Sequence, residues 1–331
     1  MGQSKKIGVI GGGSWATAIV KLLLNNNEKI NWYIRRNEVI DDIKKNRHNP
    51  YYLSSIQLDT DHIDFYNDIA KAIEKSSILI IAIPATFIEE SFVKYYGDYT
   101  DKFIFSAVKG IIPNHNLTVS EYFNKHYNVP FSKLGIISGP CHAEEIALER
   151  LSYLTIASKN SADANFIADR ISCHYMQTKI SSDIYGTEYA AVLKNIIAIA
   201  AGICHGLGYG DNFQAVLISN AIQEIKRFLD KTYPSKRKIN SSTYLGDLLV
   251  TSYSQFSRNR TFGTMIGKGY SIKSAQLEMN MVAEGVNAVE CIKQINEKHK
   301  VNMPIIEAVN NILYNKVSPA LEIKLLTEKL N

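Results

Sequence analysis

The stretch Gly11-Gly12-Gly13-Ser14-Trp15-Ala16 decides how this chain is expected to fold. It follows the β-branched run of residues 6–10 directly and opens an amphipathic stretch. Gly11 allows a tight turn, Gly13 lets a ligand approach the backbone, and Ala16 lets the following helix pack closely on a sheet. The first N–H groups of that helix lack partners within it and favour anionic oxygens. The pattern predicts a Rossmann-type βα unit that binds the pyrophosphate of a dinucleotide; the alternative is a glycine-rich turn that binds nothing.

The rest of the first half continues the alternation of short apolar runs with amphipathic stretches, which predicts strands and crossover helices in a mainly parallel sheet. The predicted strands are residues 6–10, 30–34, 78–83, 103–107, 134–137, 154–157 and 175–180. The predicted helices between them are residues 15–24, 39–45, 68–72, 87–95 and 163–171.

The character of the chain changes near residue 183, after which strand-like runs give way to helical ones. The predicted helices there are residues 185–203, 213–229, 271–275, 282–296 and 305–314. A chain of 331 residues is longer than one hydrophobic core usually serves. We therefore expect an α/β protein with a Rossmann-like NAD(P)-binding domain over residues 1–182 and an all-helical substrate-binding domain over residues 183–331.

Composition excludes several classes of protein. The net charge of +5, from 37 basic and 32 acidic residues, is too small to require nucleic acid as a partner. Apolar runs shorter than the roughly 20 residues of a membrane span argue against membrane insertion. The four cysteines are dispersed without a C-x-x-C pair, so we expect neither a metal site nor a disulfide framework. With no export signal recognised, a cytoplasmic location is expected.

The cations Arg35 and Arg36 follow the predicted second strand, where an NAD-selective site often carries an acidic residue. They can pair with the 2′-phosphate of NADP through forked hydrogen bonds. Alternatively, they cover the adenine or face solvent. We favour NADP over NAD, although a dehydrogenase can accept both.

Lys194 is the most informative single residue, because the helix that carries it is apolar on nearly every side and should be buried. Burial disfavours an ammonium and lowers its pKa, which suits a residue that donates and accepts a proton near neutral pH. The alternatives are a structural pair with Glu188 or Asp247, or a side chain that reaches the surface.

Other polar residues are expected near this lysine. Lys109 and the segment from Ser138 to Ala143 follow predicted strands, at the sheet edge where ligands of open α/β sheets gather. Gly246-Asp247 and residues 257–260 are interpreted as polar breaks between helical stretches. They supply a carboxylate and a guanidinium, which together with Lys194 predict a site for an anionic substrate at the domain boundary.

Taken in order, these segments resemble the bacterial NAD(P)-dependent glycerol-3-phosphate dehydrogenase family over essentially the whole chain. The marks of the resemblance are residues 11–16, His48-Asn49-Pro50 with Tyr52-Leu53, residues 108–110, 138–140, 193–202, 208–212, 246–248 and 257–263, and Val282-Ala283-Glu284-Gly285. Three departures stand out. Ala16 replaces the third glycine of the fingerprint, Cys141 stands where the family has Ser or Thr, and Ser219-Asn220-Ala221 replaces Thr-Arg-Gly.

The resemblance implies interconversion of dihydroxyacetone phosphate and sn-glycerol 3-phosphate, which supplies the backbone of phospholipids. Lys194 would be the catalytic residue that transfers the proton. The residues expected to contact the phosphorylated triose are Lys109, Gly139, Lys194, Asp247, Ser257, Arg258 and Asn259. The residues expected to contact NADP or NAD are Gly11, Gly13, Ser14, Trp15, Arg35, Lys109, Ala143, Arg258, Val282 and Glu284.

Two other functions stay open at this point: a dehydrogenase or reductase of another small hydroxyacid, and a non-catalytic nucleotide-sensing protein. Apolar helices in the second domain also make a homodimer an expectation.

Overall fold

The protein is described from a computed structural model that covers residues 5–279 and 283–331. The described chain divides into two compact units. The first contains the residues up to Val108 together with Leu117–Ile184, and the second contains Lys109–Asn116 and Tyr185–Asn331. The short segment Lys109–Asn116 thus belongs with the second unit, an excursion that the sequence pattern does not predict.

The first unit is built on an eight-stranded sheet within the described residues. Its strands are β1 Ile7–Ile10, β2 Ile30–Tyr33, β3 Ile63–Tyr66, β4 Ile78–Ile81, β5 Phe103–Ser106, β6 Leu134–Ser138, β7 Ser152–Ser158 and β8 Met176–Ser181. The order is β3-β2-β1-β4-β5-β6-β7-β8. Neighbouring strands are parallel except for the antiparallel pair β6 and β7, which confirms the mainly parallel sheet.

Helices accompany this sheet in the alternating order that a Rossmann-like fold requires. They are α1 Ser14–Asn25, α2 Asn37–Asn46, α3 Ile69–Glu74, α4 Ile88–Phe92, α5 Val119–Tyr127, α6 Ala143–Ala147 and α7 Ser161–Ile171. Every residue of β1, β2 and β4 is buried, as expected for strands covered on both faces. Because β1 pairs with both β2 and β4, the strand order reverses at β1, and ligands bind beside the carboxyl ends of strands at such a point.

The second unit is helical over its described residues beyond Tyr185, in agreement with the predicted helical domain. Its helices are α8 Ile184–Gly206, α9 Asp211–Thr232, α10 Asp247–Tyr253, α11 Arg258–Gly267, α12 Ile272–Glu278, α13 Glu284–His299, α14 Pro304–Leu313 and α15 Pro319–Thr327. A π-helical turn, Ser242–Gly246, leads into α10. The interpretation of 246–247 and 257–260 as breaks between helices is wrong, because Asp247 and Arg258 each begin a helix.

The long helix α8 forms the centre of this unit. It is the one described helix long and apolar enough to cross a membrane, yet nearly all of its residues are buried inside the protein. Its side chains pack with those of α9, α13 and α14 in one hydrophobic core. A soluble core helix passes the same test of length and apolarity, so α8 is assigned as the core of its unit.

Glycines bring α8 and α11 unusually close. A Cβ built on Gly263 of α11 would collide with the Ile199 carbonyl of α8, and one built on Gly202 of α8 would collide with the Arg260 carbonyl of α11. Gly206 and Gly267 continue the same contact one turn further along. The backbone of α11 is therefore packed directly on the helix that carries Lys194.

Candidate active site

Lys194 lies in the interior of the second unit, 3% exposed, on α8. Its ammonium forms an ion pair with Asp247 and donates a hydrogen bond to the Thr251 hydroxyl at 2.9 Å. Burial of the lysine is thus confirmed, and so is its pairing with Asp247. The alternative of a side chain that reaches the surface is wrong.

Asp247 stands where the π-helical turn passes into α10, and it is 1% exposed. π-helical turns are rare and occur often at functional sites. Thr251 follows one helical turn later and donates its hydroxyl hydrogen to the Asp247 carbonyl at 2.6 Å. That bond turns the hydroxyl oxygen into an acceptor for the Lys194 ammonium.

Lys109 is the second cation at this carboxylate. Its Nζ lies 3.9 Å from Oδ2 of Asp247, while Lys194 pairs with Oδ1. The Asn195 side chain donates a hydrogen bond to the Lys109 carbonyl at 2.7 Å and so ties this residue to α8. When Lys194 is protonated, two ammonium groups share one buried carboxylate, and the positive charge that remains suits an anionic substrate.

The surroundings of Lys194 change its affinity for a proton. Burial lowers the pKa of its ammonium to about 7; the Asp247 carboxylate opposes this shift, whereas the Lys109 charge adds to it. Near neutral pH such an amine is present in both protonation states, as a general acid and base must be.

The start of α11 carries three further predicted residues of the substrate site. Ser257 is the N-cap, and its Oγ accepts the Arg260 N–H at 3.3 Å. Arg258 is exposed, whereas Asn259 is 8% exposed and its Oδ1 accepts the Gly285 N–H at 3.0 Å. The predicted phosphate-binding side chains therefore lie at a helix N-terminus, where backbone N–H groups favour anions.

The Asn259 bond places α11 against the beginning of α13. A Cβ built on Gly285 would lie 2.7 Å from the Asn195 carbonyl oxygen, so these segments adjoin the lysine helix. Glu284 is the first residue of α13 and is half-buried. The predicted cofactor residue Val282 lies outside the described residues.

In the first unit, the predicted glycine turn follows β1. Gly11 has φ +135°, and a Cβ there would collide with the Ala82 carbonyl at the end of β4, so this position requires glycine. α1 begins at Ser14, and its N-cap Gly13 has no side chain to occupy the first N–H groups. A Cβ on Gly13 would meet no described atom within 4 Å. This open turn at a helix N-terminus fits the pyrophosphate of a dinucleotide.

The remaining predicted residues of this unit occupy the ends of other strands. Arg35 follows β2 and is exposed, as is Arg36, whose guanidinium lies 4.4 Å from the centre of the Tyr51 ring. Gly139 follows β6, and Ala143 is the first residue of α6 and 6% exposed. Trp15 is the second residue of α1.

The structure brings Lys109, Lys194 and Asp247 together directly and adds two residues to which the sequence pattern assigns no role. Thr251 binds the ammonium, and Asn195 holds the Lys109 backbone. The i, i+4 spacing of Asp247 and Thr251 would have revealed the first of these had α10 been predicted as a helix. No group of three or more metal-ligating side chains occurs among the described residues.

Two protein-family models match this chain. The model described as NAD-dependent glycerol-3-phosphate dehydrogenase N-terminus matches residues 6–164, and its C-terminus counterpart matches residues 183–324. The chain belongs to this family. The buried pair of Lys194 and Asp247 lies in the part that matches the C-terminal model.

Individual relatives cover almost the whole chain. A glycerol-3-phosphate dehydrogenase [NAD(P)+] of Bacillus subtilis is 36% identical over 96% of this chain and 93% of its own length. One of Clostridium botulinum is 34% identical over 98% of both chains. The crystal structure of glycerol-3-phosphate dehydrogenase from Coxiella burnetii covers 98% of this chain and 99% of its own, with 26% identity and a TM-score of 0.89.

The structure shows the surroundings of Cys141 and Asn220, two positions at which the sequence departs from the family pattern. Cys141 is buried, 5% exposed, in the first unit. Asn220, in place of an arginine, donates to the Val216 carbonyl at 2.9 Å and exchanges two hydrogen bonds with the backbone of Asn331. The side chain at position 220 thus serves contacts within the second unit.

Proposed function

We propose that this protein is an oxidoreductase that interconverts dihydroxyacetone phosphate and sn-glycerol 3-phosphate with NADPH or NADH. The observation that carries the proposal is a buried lysine, held by an aspartate and a threonine, in a chain of the glycerol-3-phosphate dehydrogenase family. The product serves as the backbone of phospholipids.

Lys194 is proposed to be the general acid and base of the reaction. The bound dinucleotide supplies a hydride for carbon 2 of the ketone, and the oxygen on that carbon needs a proton to become a hydroxyl group. Lys194 donates that proton in reduction and accepts it in oxidation. Asp247 keeps the amine in place, and its charge favours the protonated form.

Substrate recognition is proposed to use the charges around this lysine. Arg258 and Asn259, at the N-terminus of α11, would bind the phosphate through charge-assisted hydrogen bonds. Lys109, Asp247 and Ser257 complete the proposed contacts within the second unit, and Gly139 would contribute backbone from the first. Anchoring the phosphate fixes carbon 2 with respect to the reacting groups, which lowers the entropic part of the barrier.

The cofactor is proposed to bind through the glycine turn of the first unit. Gly11 and Gly13 shape the turn, and Ser14 and Trp15 present the first turn of α1 to the pyrophosphate. Arg35 would pair with a 2′-phosphate, which favours NADP over NAD. The other proposed cofactor contacts are Lys109, Ala143, Arg258, Val282 and Glu284.

The proposal also includes the location, the partners and the oligomeric state of the enzyme. We place it in the cytoplasm, acting on a small phosphorylated molecule without nucleic acid and without insertion into a membrane. Burial of α8, the one described helix both long and apolar enough to cross a membrane, supports the part of this proposal that concerns membrane insertion. A homodimer is proposed because α10 and the turn after it expose the apolar side chains of Leu249, Tyr253 and Phe256.

The experiment that tests the function follows the absorbance of NADPH after dihydroxyacetone phosphate is added to the purified protein. We expect rapid oxidation of NADPH, and less than about one hundredth of that rate with unphosphorylated dihydroxyacetone, because the phosphate contacts would be lost. No oxidation with the phosphorylated substrate, or equal rates with both, would refute the proposal.

A further inference from the structure

The carbonyl groups of the glycine turn are all held by side chains from inside the first unit. Each donor belongs to a residue that is 0% exposed. The Trp32 indole donates to the Gly11 carbonyl at 2.7 Å, the Asn49 amide to the Gly12 carbonyl at 3.1 Å, and the Thr17 hydroxyl to the Gly13 carbonyl at 3.0 Å.

These bonds determine which polar groups of the turn remain for a ligand. In a trans peptide the N–H points away from the C=O of the same unit. Fixing the three carbonyls toward the protein therefore directs the following N–H groups the other way. A carbonyl that turned toward a pyrophosphate would repel it, so the bonds preserve an anion site.

Asn49 forms hydrogen bonds beyond the one to the glycine turn. Its Nδ2 also donates to the Thr17 hydroxyl at 2.9 Å, and its Oδ1 accepts the backbone N–H groups of Tyr51 at 3.1 Å and Tyr52 at 3.3 Å. Two donated and two accepted bonds satisfy the whole amide. The Tyr51 ring in turn lies against the Arg36 guanidinium, at 4.4 Å from the ring centre. One buried side chain thus connects the glycine turn, through Tyr51, to Arg36 after β2.

We infer that Asn49 is a positioning residue for the dinucleotide: it fixes the Gly12 carbonyl and, through the backbone of Tyr51, the wall of the site that contains Arg36. The inference rests on the proposed use of NADPH or NADH. It gives a role to the Asn49 of the His48-Asn49-Pro50 stretch, which is remote from the proton chemistry of Lys194 in sequence and belongs to the other unit.

Asn31 offers a closely matched control in the same unit. It is also 0% exposed, and its Nδ2 likewise donates to one carbonyl, that of Lys75 at 2.9 Å, and to one hydroxyl, that of Ser76 at 2.8 Å. Loss of either asparagine removes two donated hydrogen bonds from a buried amide, and Asn49→Ala also removes the two bonds that its Oδ1 accepts. Of these two asparagines, Asn49 binds the glycine turn and Asn31 does not.

The test measures the Kd of NADPH and of NADH by isothermal titration calorimetry for the wild type, Asn49→Ala, Asn49→Asp and Asn31→Ala. Asn49→Asp keeps the size of the side chain and its oxygen acceptor but loses the donor to Gly12. We expect both Asn49 variants to raise both Kd values at least about tenfold, which corresponds to about 1.4 kcal/mol. Asn31→Ala should stay within about twofold of the wild type. At saturating NADPH, kcat and the KM for dihydroxyacetone phosphate should also stay within about twofold in the Asn49 variants.

Three results would overturn the inference: unchanged Kd values in a folded Asn49 variant, an equal increase in Asn31→Ala, or a loss of kcat in the Asn49 variants with unchanged cofactor affinity. These outcomes differ from a failure of the proposed function, in which the wild type itself would neither bind NADPH nor oxidise it with dihydroxyacetone phosphate.

Discussion

At the scale of single residues, the charge of Lys194 is the quantity on which the proposed chemistry depends. Burial brings its pKa down to about 7, and the carboxylate of Asp247 limits that decrease. Reduction of the ketone needs the ammonium form and oxidation of the alcohol needs the amine. Reductive kcat/KM should therefore fall as the pH rises through about 7, and the oxidative value should rise over the same range.

Asp247→Asn tests this dependence. The substitution removes the negative charge that favours the ammonium, so the pKa of Lys194 should decrease and the reductive profile should shift to lower pH. The measurement is the pH profile of reductive kcat/KM for both proteins, since the comparison cancels the titration of the substrate phosphate. Asp230→Asn, which removes an exposed acid of α9, should leave the profile in place. A profile for Asp247→Asn that coincides with the wild type would contradict the assigned role.

Residue patterns predicted part of this cluster. The apolar residues around Lys194 in sequence were enough to predict its burial, because a helix that is hydrophobic on every side lies in the interior of a protein. Thr251 and the role of Asn195 were missed, since their significance depends on which helices pack together. Asp247 was named only as one of two alternative partners of Lys194, because it lies 53 positions away in sequence and periodicity does not decide between Glu188 and Asp247.

At the scale of elements, the contact between α8 and α11 sets how near the proposed phosphate-binding residues come to the lysine helix. Gly263→Ala should push α11 away from Ile199 and displace Arg258 and Asn259. Overpacking of this kind costs about 1–3 kcal/mol. We expect the KM for dihydroxyacetone phosphate to rise about tenfold, with the Kd of NADPH changed much less.

Gly210→Ala is the matched control for this prediction. A Cβ at Gly210 would meet no described atom within 4 Å, so the substitution should leave KM unchanged. Because alanine is a poorer N-cap than glycine, it should still lower the free energy of unfolding, by less than about 1 kcal/mol. Steady-state kinetics and urea denaturation measure the two effects. An unchanged KM in a folded Gly263→Ala protein would show that the close packing of α11 does not position the phosphate site.

The elements that sequence reasoning missed have identifiable causes. α11 has only a short apolar pattern, Phe262, Met265 and Ile266, and it begins with charged and polar residues and contains Gly263 and Gly267, which lower helix propensity. The strand β3 contains Asp64 and has one buried residue, Ile63, so its sequence is not a continuous apolar run. The buried strands β1 and β4, in contrast, are continuous apolar runs, and their positions were predicted to within two residues.

At the scale of the whole molecule, each unit is proposed to supply a different part of the reaction. The first contains the glycine turn for the dinucleotide, and the second contains the lysine that transfers the proton.

Arg35→Ala tests whether the first unit binds the cofactor. Loss of a charge-assisted bond to a 2′-phosphate should raise the Kd of NADPH about tenfold and leave that of NADH nearly unchanged. Titration of both cofactors measures this, with the exposed Lys45→Ala as control. Equal effects of Arg35→Ala on the two cofactors would contradict a contact with the 2′-phosphate.

The fold class of the whole molecule was accessible from sequence because the strand, glycine turn and helix at residues 6–24 combine local propensity with a distinctive motif. The sequence did not predict that Lys109–Asn116 belongs to the second unit. That assignment depends on tertiary contacts such as the hydrogen bond from the Asn195 side chain to the Lys109 carbonyl.

Proton transfer by Lys194 is best tested by the single-turnover rate of NADPH oxidation by dihydroxyacetone phosphate in Lys194→Ala and Lys194→Met, with Lys226→Ala, an exposed lysine of α9, as control. The two Lys194 variants should lose at least about a hundredfold in rate, with the Kd of NADPH within about twofold of the wild type, while Lys226→Ala keeps its rate. A folded Lys194 variant that transfers the hydride within about threefold of the wild-type rate would show that the proton comes from another group.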